Sequence, residues 1–124
     1  SVTNETLCQA IKSCKNLEIL VLFFVNISLE NINLPNSLKW LDLSNNRSVT
    51  NETLCQAIKS CKNLEILVLF FVNISLENIN LPNSLKWLDL SNNRSVTNET
   101  LCQAIKSCKN LETLDLNSTS ISLE

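Results

Sequence analysis

The apolar residues of this chain recur on one template, Leu-x-x-Leu-x-Leu, which begins at Leu17, Leu38, Leu64, Leu85 and Leu111. Within each match the leucines alternate with other residues, as in Leu20-Val21-Leu22 and Leu41-Asp42-Leu43. Period-two alternation over so short a run predicts a strand with one face buried. Five short strands follow. Ahead of the first, Leu7, Ala10, Ile11 and Cys14 fall on one face at helical spacing, with Asn4 placed as N-cap and Glu5 in the first turn. A short helix is therefore predicted over residues 5–14 and its copies. Between the first and second strands, Pro35 and its Asn neighbours argue against a helix.

Successive first leucines are 21, 26, 21 and 26 residues apart, so short and long segments alternate. Residues 1–47 return letter for letter at 48–94, and the block restarts at Ser95. Such identity is what a recent tandem duplication, an engineered array or an idealised version of a longer repeat produces. A period of this length signals stacked repeats rather than a single pocket.

These features resemble the leucine-rich repeat family over essentially the whole chain. The longer segment is similar to the cysteine-containing subclass of F-box substrate adaptors, carried by Val2-Thr3-Asn4, Leu7, Ala10-Ile11, Cys14 and Leu17; the shorter resembles the compact type in which Leu-Pro precedes the strand and the outer face is extended, which would point Ile27, Leu29, Ile32 and Leu34 inward. The resemblance implies an α/β fold, one leucine-rich-repeat solenoid over 1–124. Five short parallel strands would line its concave face, and short helices would alternate with extended segments on the convex one. It also implies an inward Asn after each strand. Asn46 and Asn93 hold that place after the even strands, but Val25, Val72 and Thr119 hold it after the odd ones, where turn amides must find other partners.

Ten basic against twelve acidic residues leave a net charge of −2, without the basic footprint of a nucleic-acid binder or a polybasic membrane anchor. No apolar run reaches the roughly 18 residues of a spanning helix, so membrane insertion is not expected, and no signal-peptide pattern opens the chain. With no His and no Gly, the chain lacks the common general base and the phosphate-cradling loop, which argues against an enzyme and against a cofactor. Carboxylates alone would need two converging in a cleft.

Cys8 and Cys14 lie six apart on one predicted helix, roughly 9 Å along its axis, beyond disulfide reach. Cys14, Cys61 and Cys108 are expected in the core, Cys8, Cys55 and Cys102 near the edge of the apolar face, and no metal is expected without Cys-x-x-Cys or His. Eight Asn-x-Ser/Thr triplets lean toward an extracellular setting without fixing one. Asn4 and Asn46 have structural tasks, which leaves Asn26 and Asn73 as the best glycan acceptors.

The residues alternating with the leucines line the other face of the sheet in three rows. The first is Ile19, Trp40, Ile66, Trp87, Thr113; the second Val21, Asp42, Val68, Asp89, Asp115; the third Phe23, Ser44, Phe70, Ser91, Asn117. Neighbouring strands lie ~4.8 Å apart, so the rows merge into an apolar stripe edged by carboxylates, and aromatics make the best interface anchors. A one-residue slip in register would turn the stripe inward. In the last copy Ile19, Val21, Phe23 and Phe24 become Thr113, Asp115, Asn117 and Ser118, which makes a polar edge. The expected function is a non-enzymatic protein-interaction or structural scaffold that self-associates into an oligomer or filament. Association would run through the apolar face or end to end, Ser1-to-Asn16 of one molecule completing the coil left open at Glu124 of another. The alternative is a recognition module, an adaptor or receptor fragment or a synthetic scaffold, that binds a protein ligand on the same face.

Overall fold

A computed structural model describes residues 2–122, so Ser1 and Glu124, the two ends of the expected end-to-end contact, lie outside the described residues. The fold is α/β, with the strands β1 (Ile19–Val21), β2 (Trp40–Asp42), β3 (Ile66–Val68), β4 (Trp87–Asp89) and β5 (Thr113–Asp115). They form one parallel sheet in chain order. Parallel neighbours need a crossover, and two kinds alternate. The helices α2 (Asn51–Ile58) and α3 (Asn98–Ala104) lead into β3 and β5, and extended segments lead into β2 and β4. The helix α1 (Asn4–Ser13) precedes β1. Each strand, with the connection leading into it, makes a unit, and there are five.

Three-residue strands are shorter than the alternating pattern, yet the ladder runs on past them. Leu22 and Phe24 donate their amides to Asp42 and Ser44 at 2.8 and 2.9 Å, and Leu43 and Asn45 donate to Val68 and Phe70, each at 2.9 Å. The template leucines point to the other side of the sheet, where Leu41, Leu67 and Leu88 are fully buried. Ile27, Leu29, Ile32 and Leu34 join them, as the extended reading requires. Burying a leucine side chain stabilises by about 1.5–3 kcal/mol, so this row is the main support of the fold.

The helices begin one residue earlier than their sequence suggests. Thr3, not Asn4, is the N-cap of α1, its Oγ1 accepting the Thr6 amide at 3.1 Å. Thr50 and Thr53 form a reciprocal capping box at α2, as do Thr97 and Thr100 at α3. The threonine cap frees Asn4 for a longer reach. Its Oδ1 accepts the Leu29 amide at 3.1 Å and its Nδ2 donates to Ser28 Oγ at 2.8 Å, which ties α1 to the following extended segment. Asn51 repeats this with Leu76 and Ser75.

Identical sequence gives helices of 10 residues at α1 and 8 at α2. Near the end of α2 the Ala57 carbonyl accepts the Leu34 amide of the preceding unit at 2.9 Å, whereas the closing bond itself is common to both copies, Cys61 donating to Ile58 at 2.9 Å and Cys14 to Ile11 at 3.1 Å. Among the described residues no unit precedes α1, and the helix runs on to Ser13. The same asymmetry corrects the expectation for Cys14, which is exposed, whereas Cys61 and Cys108 are buried as expected. Cys61 Sγ lies 3.7 Å from the Leu34 carbonyl and 3.6 Å from that of Pro35, atoms of the preceding unit that Cys14 does not meet.

Candidate functional site: the open face of the sheet

The register of the sheet aligns two of the three rows residue by residue. Ile19 pairs with Trp40, Trp40 with Ile66, Ile66 with Trp87 and Trp87 with Thr113, and the row from Val21 through Asp42, Val68 and Asp89 to Asp115 follows two residues on. No slip has occurred. The face is open most widely at its first strand, where Ile19, Val21 and Phe23 are 56%, 54% and 55% exposed. Trp40 and Trp87 are exposed, while Ile66, Val68 and Phe70 are half-buried. At the far end Thr113 and Asn117 are exposed polar residues beside the half-buried Asp115.

The third row departs from expectation. Phe23, Ser44, Phe70, Ser91 and Asn117 lie past the ends of the strands, and Ser44 and Ser91 are buried rather than presented on the face. The carboxylates explain why. Asp42 Oδ1 accepts the Ser44 amide at 2.9 Å, Asp89 Oδ1 accepts the Ser91 amide at 2.9 Å and the Ser91 hydroxyl at 2.6 Å, and Asp115 Oδ1 accepts the Asn117 amide at 3.0 Å. An Asp bonded to the amide two residues on closes a turn and draws the serine in. The carboxylates thus terminate the even strands and β5, besides edging the stripe.

Turns without glycine bring out aromatic residues that the row reading omits. After the even strands Asn45 and Asn92 take positive φ, 64° and 62°, which Asn tolerates. The equivalent residues after β1 and β3 are Phe24 and Phe71, at φ 55° and 54°. A bulky residue there is strained, and its side chain is thrown outward: Phe24 is 73% exposed. Each ring leans on its predecessor, with centroids 6.3 Å apart in Phe23–Phe24 and in Phe70–Phe71. The Arg47 guanidinium lies 4.3 Å from the centre of the Phe71 ring, a cation–π contact supplied by the preceding unit. The signal for these residues was the match in register between Phe24 and Asn45.

Below this rim the two inward amides act as expected. Asn93 is fully buried; its Oδ1 accepts the Val72 and Ile74 amides at 3.2 and 3.0 Å, and its Nδ2 donates to the Leu69, Leu90 and Ser91 carbonyls. The odd turns, which lack an Asn, are therefore served by the Asn of the next unit. Asn46 likewise takes the Ile27 amide at 3.0 Å and donates to the Leu22 and Leu43 carbonyls. Beyond β5, Thr119 closes its own turn by donating from Oγ1 to Leu116 at 2.8 Å. No buried side-chain polar atom lacks a partner among the described residues.

Of the sequons, Asn46 and Asn93 are buried, whereas Asn26 and Asn73 are exposed, at φ 55° and 67°. Asn26 Oδ1 accepts from Ser48 Oγ at 3.0 Å. Burial pushes the Cys61 thiol up to about 11 and also raises that of Cys108, which keeps both protonated and unreactive. The described residues include no cluster of three or more His, Cys, Asp or Glu side chains able to hold a metal, and no helix long and apolar enough to cross a membrane. On the helical side a shallow groove of about 640 Å³ runs between α2 and Glu77-Asn78, with Thr50, Glu52, Gln56 and Lys59 among its lining residues. Compared with known proteins, the chain matches no protein-family model and no curated protein sequence.

Proposed function

We propose that the chain is a leucine-rich-repeat solenoid that acts as a non-enzymatic protein-interaction scaffold and associates with copies of itself through the open face of the sheet. The observation that carries this reading is the run of exposed Ile19, Val21, Phe23 and Trp40 across two adjacent strands. Large apolar side chains side by side on a soluble surface favour a protein partner, and aromatics in such a patch concentrate binding energy. The strained, outward Phe24 enlarges the patch, and the polar residues of β5 bound it. The face route is favoured over the end-to-end one because every pair in the sheet joins an odd strand to an even one. Setting β5 of one molecule beside β1 of another would join two odd strands.

Light scattering coupled to size-exclusion chromatography tests the proposal. The chain is expected to run as a dimer or larger species at tens of micromolar, and Ile19→Asp with Phe23→Asp is expected to return it to a monomer. A monomeric parent chain would overturn self-association and turn attention to a different protein ligand on the same face. Association that survives both substitutions would clear the face altogether.

A further inference from the structure

The two aligned rows of the open face match each other in chemistry. On β1 and β3 they set Ile beside Val, Ile19 with Val21 and Ile66 with Val68. On the even strands they set Trp beside Asp, Trp40 with Asp42 and Trp87 with Asp89, and on β5 Thr113 beside Asp115. Wherever the second row carries an acceptor, the first carries a donor. Each carboxylate uses Oδ1 for the turn amide two residues on. Among the described residues no hydrogen bond engages its Oδ2, the Trp40 and Trp87 Nε1–H groups or the Thr113 hydroxyl. Resting on the reading that this face binds a second copy of the chain, we infer how that copy sits. It is turned about a two-fold axis that runs along the stack of strands, between the two rows, so that the first row of each copy seats on the second row of the other.

Symmetry restricts the alternatives, because in a two-fold pair whatever one copy offers at a contact the other receives. An axis lying along the strands preserves strand direction and sets each row on itself, whichever strands it pairs. The second row, made of Val and Asp side chains alone, then gives no carboxylate a donor. An axis along the stack reverses the strands and pairs each with its own copy. Centred on the second row, it places Asp42, Asp89 and Asp115 each against the same residue of the partner, a like-charge contact. Centred on the first row, it leaves the carboxylates outside the pairing. Midway between the rows, Ile19 meets Val21, Ile66 meets Val68, and every Asp meets an indole N–H or the Thr113 hydroxyl. Burying a carboxylate or an indole N–H is costly unless each finds a partner, and in this register they find one another. The rows lie two residues apart, about 6.6 Å, and facing sheets sit about 10 Å apart, a gap that side chains from both copies fill. The register holds strand by strand and so does not depend on how many units the stack contains.

Charge complementation on β1 tests the register, where Ile19 and Val21 are each more than half exposed and accept a charge without loss of core. Ile19→Lys alone and Val21→Asp alone should each weaken association, measured by light scattering, by about tenfold, because each sets a charge on an apolar side chain. Mixed in equal amounts, the two variants should recover most of that loss, since the new cation of one copy meets the new carboxylate of the other. Ile19→Lys mixed with Val21→Lys should recover none. Trp40→Phe with Trp87→Phe keeps aromatic rings but removes the donors, and should weaken association by about tenfold. Three results would overturn the register while leaving association through the face intact: no recovery in the oppositely charged mixture, equal recovery in the like-charged one, or full association of the double Phe variant. A monomeric parent chain would overturn the register and face association together.

Discussion

Val2 and Val49 occupy the same place in two identical stretches of sequence, yet the first is 38% exposed and the second 2%. The difference runs through the whole unit. Leu20 and Val25 are half-buried where Leu67 and Val72 are fully buried, and α1 is two residues longer than α2. Since no residue differs, every contrast between the copies is caused by the neighbouring unit. Local sequence sets which side chains point inward, and stacking decides how far they are buried, as expected when stability is a sum of unit and nearest-neighbour terms.

The sharpest break of the comparison is a matched pair of core truncations. Leu67→Ala, at a fully buried site, is expected to cost about 2–5 kcal/mol, with Leu20→Ala costing less than half as much because its cavity opens toward solvent. Urea unfolding of the two variants reads the difference directly, and equal losses would mean that the preceding unit adds nothing to burial. Comparable in size is the effect of Asn93→Ala. It strips the partner from the Val72 and Ile74 amides, and each buried donor left unpaired costs about 1–3 kcal/mol. Thr119→Ala removes only bonds within its own half-buried turn and should fall well below it.

Much of this was legible in advance, for identifiable reasons. The leucine triplets follow from periodicity, which is a property of the chain alone, and the inward Ile27, Leu29, Ile32 and Leu34 from the likeness to Leu-Pro repeats. The inward Asn46 and Asn93 follow from the family resemblance. Helical spacing assigns Cys14 to the core, yet a helical face says where a side chain points and not whether a neighbour arrives to cover it. Thr3 and Asn4 are equally good caps by residue type, and only the Asn has the reach to bind Ser28 and Leu29 across to the next segment. Alternation puts Ser44 and Ser91 on the open face, but it ends where Asp42 and Asp89 close the turn.

The buried thiol offers a pH-dependent version of the same contrast. An unfolded Cys ionises near 8.5, whereas Cys61 in the fold holds its proton to about 11. Between those values the native state binds the additional proton, so stability falls as pH rises through the window, by at most about 1.4 kcal/mol per pH unit for this one group. Below pH 8 the contribution is flat. Cys61→Ala should lower stability by leaving a small cavity, and it should flatten the alkaline decline measured by urea titration at pH 8 to 10.5. An unchanged slope would mean that Cys61 ionises in the fold as readily as in the unfolded chain.

The smallest expected effect probes the rim. Phe24 and Phe71 both sit at positive φ, where the equivalent residues after the even strands are Asn45 and Asn92. Replacing Phe24 with Asn should relieve strain and stabilise the fold by about 1 kcal/mol, since a ring 73% exposed contributes little burial. At Phe71 the same relief is opposed by loss of the Arg47 guanidinium stacked on its ring, worth about 0.5–1 kcal/mol, so the net change should lie near zero. The contact with the preceding phenylalanine is lost in both variants and cancels from the difference, because the two pairs share a 6.3 Å separation and tilts of 54° and 50°. Urea midpoints at unchanged slope therefore read the cation–π contact together with the deeper seating of Phe71, which is 40% exposed against 73% for Phe24. Equal gains at the two sites would show that neither Arg47 nor the deeper seating of Phe71 contributes. If Phe24→Asn also weakens self-association while stabilising the monomer, the strained ring is part of the interface, held outward by a turn that would be more stable without it.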